Sequence, residues 1–165
     1  MMPAGGGGTP SVANASFEAP EVGSSHVYTP SVPGQTFNSH SGVAGNGSLW
    51  GFPTAPAGDQ AGFIQSYQDL GIGSIAMTVT GLTPGLTYRV RFHISRRPDT
   101  VSNTINVAVD GAALGSFTGS GYTFQPMETA TFQAGGDTVT ITFTGTYYPT
   151  GDAGSAIDAV TVGPP

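Results

Sequence analysis

From residue 74 to residue 95 apolar side chains fall on every second position. Ile75, Met77 and Val79 come first, then Tyr88, Val90, Phe92 and Ile94, with Ala76, Thr78, Arg89, Arg91 and His93 in the positions between. A period of two belongs to a pleated strand with one face buried and the other in water. The two runs are separated by Gly81-Leu82-Thr83-Pro84-Gly85, whose Pro-Gly pair suits the centre of a type II turn. A chain written this way folds into antiparallel sheets that bury one face against each other.

The same signals recur along the chain. Strands are expected over 12–18, around Tyr28, at 48–50, and over 60–65, 103–109, 129–132, 138–144 and 155–162, with Asp110-Gly111 as a hairpin turn. No segment has a helical period. The expected fold is all-β, a single antiparallel β-sandwich spanning 12–165, with Val79, Val90, Phe92, Val107, Ile141, Phe143, Ile157 and Val160 between the sheets. Residues 1–11 contain four consecutive glycines and read as a flexible arm. A neighbouring subunit is expected to hold this arm, with Pro3, Pro10 and Val12 as small apolar anchors. Residues 19–56 are dense in Pro, Gly, Ser and Asn and read as long loops that carry aromatic side chains, where a sandwich usually carries function.

Only 8% of the 165 residues are charged, against about 25% in an average soluble domain. The net charge is -6, and the four cationic residues are all arginine. A phosphate-binding face needs clustered cations, so a nucleic-acid partner is not expected. There is no cysteine, which excludes a disulfide framework, a thiolate metal site and a cysteine nucleophile. No apolar run reaches the roughly 20 residues of a membrane span. The first eight residues have neither a cationic nor an apolar segment of the signal-peptide type. Either a leader has been removed or the protein reaches its place without one, and the second option points to a virion component released by lysis.

Asn14-Ala15-Ser16-Phe17-Glu18 near the start and Ala156-Ile157-Asp158-Ala159-Val160-Thr161 near the end resemble the first and last strands of the galactose-binding-domain-like jelly roll. That fold is shared by many carbohydrate-binding modules and by DUF642-like extracellular proteins. Three further stretches resemble it in the same order: 56–65, the hairpin 73–88, and Phe132-Gln133-Ala134 followed by 138–143. The resemblance implies a binding or display scaffold, and fold by itself supplies no function. It also implies a structural calcium ion at Glu18 and Asp158, two carboxylates that with backbone carbonyls make a hard oxygen site. The competing reading is that both carboxylates only accept backbone N–H bonds and that no cofactor is required.

A sugar-binding platform could use Trp50 and Phe52, with Tyr67, Tyr122, Tyr147 and Tyr148 beyond them, because sugar C–H faces pack on aromatic rings. Asn38, Asn46, Asp59 and Gln60 are available to fix hydroxyls. A single tryptophan also suits the core, and that reading is favoured for Trp50. Arg96 and Arg97 form the one cationic cluster and either pair with a carboxylate on a partner subunit or sit in a solvated turn. His26, His40 and His93 have no metal-ligand spacing, and no nucleophile elbow or phosphate loop occurs. Catalysis is not expected. The expected role is a structural or display module, a phage virion accessory protein (capsid decoration or tail-fibre appendage) on the virion surface with a glycan-binding surface. The alternative is a carbohydrate-binding module of a bacterial extracellular or cell-surface protein. The expected partners are neighbouring subunits and cell-surface glycans.

Overall fold

The computed structural model describes residues 9–67, 71–98, 101–146 and 151–165. In chain order the strands are β1 (Ser11–Val12), β2 (His26–Tyr28), β3 (Gln35–Asn38), β4 (Ser41–Gly45), β5 (Gln60–Tyr67), β6 (Ser74–Thr80), β7 (Thr87–Arg96), β8 (Val101–Ser102), β9 (Ile105–Val109), β10 (Ala112–Phe117), β11 (Gln125–Gln133), β12 (Val139–Thr144) and β13 (Asp152–Gly163). The first sheet runs β1-β6-β12-β9-β10, with β3 alongside β1 on the same edge of β6. The second runs β11-β7-β13-β5-β4-β2, and the short β8 pairs with β13. Every pairing is antiparallel except that of β8. No helix occurs among the described residues, so none is long and apolar enough to cross a membrane.

The sheets stack because each presents the apolar side of its alternation. Val79, Val90, Phe92, Val107, Ile141, Phe143, Ile157 and Val160 are all buried in one continuous core, as expected from the pattern. Phe92 packs edge-on against both Phe143 and Phe117. The hairpin at 110–111 forms as read, with both turn residues at positive φ (47° and 87°), the geometry that matches the twist of the flanking strands.

Three readings need correction. The first strand is only Ser11–Val12, because Asn14 and Phe17 take positive φ (49° and 58°) and Phe17 N–H closes a turn on Asn14 O at 3.0 Å. The stretch 48–50 is a turn, closed by Ser48 N–H on Gly45 O and Gly51 N–H on Ser48 O. The region 19–56 holds two full strands, β3 and β4, besides the short β2. In β4, Ser-Gly-Val-Ala-Gly, all five residues are buried, so no polar–apolar alternation marks it.

Candidate functional site

On β5 the side chains of Phe63, Gln65 and Tyr67 alternate with the core residue Ile64 and therefore face outward. The registers bring the neighbouring strands' outward residues beside them. Tyr28 aligns through Gly42 with Phe63, while Asp152 and Gly154 lie opposite Tyr67 and Gln65. Trp50, from the turn after β4, folds down onto this face. Its ring is 4.2 Å from that of Phe63, stacks at 5.7 Å and 7° on Phe52, and has the Arg97 guanidinium 4.4 Å from its centroid. Gly154 makes room for this cover: a Cβ there would sit 3.1 Å from Arg97 and 3.5 Å from Trp50. Trp50 is thus 5% exposed in a small second cluster with Ala44 and Phe63. The core reading of Trp50 holds, and its faces are not open to a sugar ring.

Beside this cover the face stays open. Tyr28 Oη donates to Gln65 Oε1 at 2.9 Å, Gln65 Nε2 donates to Asp152 Oδ1 at 2.9 Å, and Arg97 donates to Asp152 Oδ2 at 2.7 Å. This row fixes each polar group by its neighbour, the kind of support that holds a binding constellation in place. A cleft of about 480 Å³ lies over Tyr28, His40, Gln65 and Tyr67. A second of about 230 Å³ lies over His26, Tyr28, Leu49, Trp50, Gln65, Arg97 and Asp152. The two share Tyr28 and Gln65. The Tyr28 ring is 41% exposed, and Leu49 at the rim is 92% exposed. Burial, and next the charge of Asp152, raise the Tyr28 pKa above the usual phenol value, so the hydroxyl remains a donor at neutral pH.

Several expected site residues lie elsewhere. Gln60 is 2% exposed, and its amide is spent on the backbone: Nε2 donates to Phe17 O (2.7 Å) and Pro20 O (2.8 Å), and Oε1 accepts from Val22 N–H at 2.6 Å. It clamps the segment after β1 and cannot reach a ligand. Asp59 is exposed, in the loop beside Glu18, and its N–H is bonded to that carboxylate. Phe52 is half-buried against Trp50. Arg97 belongs to the cleft, paired within its own chain, and Arg96 lies 5.8 Å from the Tyr122 ring. Pro10 is half-buried, and Val12 packs on the domain's own core, so the arm anchor expected at Val12 is a piece of this sandwich. Pro3, Tyr147 and Tyr148 lie outside the described residues. The sequence marks Tyr28 and His40 only as part of the aromatic-bearing 19–56 region and does not mark Gln65 or Asp152 as site residues. The outward row Phe63-Gln65-Tyr67 carried a signal for Gln65, whereas strand order alone brings Asp152 beside it.

Glu18 and Asp158 converge on one loop. Glu18 accepts from the N–H groups of Asp59 (2.9 Å) and Gln60 (3.1 Å), and Asp158 Oδ2 accepts from Ala57 N–H at 3.0 Å. Gly58, at φ 67°, arches over Glu18 so closely that a Cβ would overlap the carboxylate. Three of the four carboxylate oxygens therefore face amide hydrogens, and Asp158 Oδ1 alone is buried without a partner. Calcium takes six to eight oxygens, and a pocket lined by N–H donors does not fit it. Among the described residues no three His, Cys, Asp or Glu side chains gather as a metal site. Burial, opposed by the Ala57 and Ala159 N–H groups and aided by the Glu18 charge, pushes the Asp158 carboxyl up to about 7.

No protein-family model and no curated protein matches the chain. Its architecture does match solved structures. A cyclase from Fischerella sp. TAU, in complex with 4-(1H-indol-3-yl)butan-2-one, superposes with a TM-score of 0.67 at 17% identity over 91% of this chain and 93% of its own. The K1 cleaved adhesin domain of Lys-gingipain from Porphyromonas gingivalis W83 gives 0.62 at 13% identity over 96% and 99%. The carbohydrate-binding module TmCBM61, in complex with β-1,4-galactotriose, gives 0.58 at 16% identity over 92% and 96%. At such identities the likeness is one of fold. The chain has the jelly-roll β-sandwich architecture found in carbohydrate-binding modules and adhesin domains.

Proposed function

We propose that this domain is a non-enzymatic glycan-binding module that holds a carbohydrate against Tyr28 and Tyr67 on the outer face of the second sheet. The observation that carries the reading is the exposed Tyr28 ring beside the fixed Gln65–Asp152–Arg97 row. An apolar ring face with a short row of oriented polar groups suits the mixed surface of a sugar. The shared architecture with TmCBM61 supports it. Binding rather than turnover is supported by Asp152, the carboxylate that lines the cleft among the described residues, whose two oxygens are both engaged. A glycosidase needs a second carboxylate across the bond.

The setting we propose is display outside the cell, on a cell surface or, in the narrower version, on a virion as an accessory protein. A glycan array followed by isothermal titration tests the site. Tyr28→Ala should weaken the best glycan by about fivefold or more, since loss of a stacking ring commonly removes about 1 kcal/mol. Its circular dichroism should be unchanged, because Tyr28 lies on a three-residue edge strand. Full binding by this variant, or no glycan bound by the parent chain, overturns the proposal.

A further inference from the structure

Leu49 is the most exposed of the large apolar side chains among the described residues, at 92%. The turn that carries it is closed by two hydrogen bonds of 3.1 Å, Ser48 N–H to Gly45 O and Gly51 N–H to Ser48 O, with Gly47 and Gly51 at φ 80° and 71°. The next residue, Trp50, is packed against the Phe52 and Phe63 rings and the Arg97 guanidinium. A turn pinned in this way presents Leu49 at a fixed place, on the wall of the smaller cleft with Tyr28, Gln65 and Asp152. That cleft, at about 230 Å³, falls short of the roughly 300–1,000 Å³ of a self-sufficient ligand site, whereas the larger one, at about 480 Å³, lies within that range. The two share Tyr28 and Gln65, so the smaller cleft extends the larger past the Tyr28 ring and is not a site of its own.

Resting on the glycan-binding reading above, we infer that the site takes at least two consecutive units of an oligosaccharide chain, the first over Tyr28 and Tyr67 and the second against Leu49. The domain therefore reads a chain segment and not a single sugar. The second unit meets an apolar wall and a polar one. Leu49 supplies the apolar wall, and covering its exposed side chain with the C–H face of a ring removes apolar surface from water. Asp152 supplies the polar one. Each of its oxygens takes one contact, from Gln65 and from Arg97, whereas a carboxylate has about four acceptor sites, so it can still accept from a sugar hydroxyl. Gln65, common to both clefts, is held from its two ends by Tyr28 and Asp152. The polar group at the junction of the two units thus keeps one orientation. Recognition of this kind rests on shape and apolar contact and suits neutral chains.

The test titrates the whole chain with cello-, xylo- and β-1,4-galacto-oligosaccharides of one to four units, followed by NMR so that weak ligands are measured. In the series that binds best, affinity should rise about fivefold or more between one unit and three, the gain from one added apolar contact. In Leu49→Ser that gain should shrink to about twofold or less, and Leu49→Met, which keeps an apolar side chain, should retain it. Circular dichroism should be unchanged in both variants, since the Leu49 side chain lies in solvent. A single sugar bound as tightly as the trisaccharide overturns this inference and leaves the glycan-binding reading standing. A full gain with length in Leu49→Ser also overturns it, because the second unit would then rest elsewhere. Equal weakening of the one-unit and three-unit ligands by Leu49→Ser overturns it too, since Leu49 would then act on the first unit. Failure of all three series to bind overturns it as well, and a glycan array on the same preparation then decides separately whether the domain binds glycans at all.

Discussion

Asp158 shows how far one residue's surroundings can redirect its chemistry. It is fully buried, Oδ2 accepts from the Ala57 N–H at 3.0 Å, the Ala159 N–H also favours its charged form, and Oδ1 has no partner. Its pKa rises from 3.8 to about 7. A carboxyl group raised in the folded state contributes stability that is complete below its unfolded pKa and is lost as pH climbs through the folded one. Between about pH 4 and 7 this group should therefore cost up to about 4 kcal/mol, at 1.36 kcal/mol per unit. Asp158→Asn replaces the proton-bearing oxygen by an amide that never ionises. Above about pH 7 the variant should melt higher than the parent, and the difference should shrink toward pH 4. Parallel melting curves for the two proteins across that range would refute the assignment. The position of Asp158 was legible in the sequence, from the Ile-Asp-x-Val run, but its role was not. Whether that carboxylate meets a cation or an amide depends on the 53–60 loop lying over β13, which no local pattern encodes. Gln60 and Trp50 teach the same lesson, since a polar side chain in a strand and a large ring in a loop can each be site or support until the fold places them.

At the scale of elements, legibility tracked one-sided burial. The strands β6, β7 and β12 have one face in the core and one outward, and their period of two gave both their positions and their core residues. β4, β5 and most of β13 are buried on both faces; the 56–65 and Ile-Asp-x-Val stretches of the family resemblance mark β5 and β13, whereas β4, whose small residues alternate in nothing, has no such mark. β3 is short and lies inside a Pro- and Gly-rich stretch, where turn signals outweigh four residues of strand. The 55–60 loop is the element on which Glu18 and Asp158 converge: their carboxylates accept from the N–H groups of Asp59, Gln60 and Ala57, and Asn46 Oδ1 accepts from Ala55 N–H. Removal of calcium by excess EDTA should leave the melting temperature unchanged, whereas Glu18→Ala should lower stability by about 1–3 kcal/mol by leaving two N–H donors unsatisfied. A drop of several degrees in EDTA would return the loop to a metal-based account.

The whole molecule poses the question of what the N-terminal segment serves. Its described part already belongs to the sandwich: Ser11 and Val12 pair with Thr80 and Val79 on β6, and Val12 packs on the core. The glycine tract precedes that anchor, and ordering it would cost about 1–2 kcal/mol per residue in backbone entropy. Were the tract ordered in an assembly, a second surface would have to offset that cost. We propose that residues 2–8 act between molecules, as a tether to a neighbouring subunit of a larger assembly, and not within the domain. Two truncations separate the roles. Deleting 2–8 should leave the melting temperature within about 1 °C of the parent, since surface changes away from packed features are nearly neutral, while weakening self-association or incorporation into particles. Deleting 2–12 also removes the β1 ladder and the half-buried Val12, and should cost roughly 1–2 kcal/mol more in the isolated domain. Equal loss of stability in both truncations would place the glycine tract in the fold of its own domain, and undiminished assembly after the shorter deletion would remove its role between subunits.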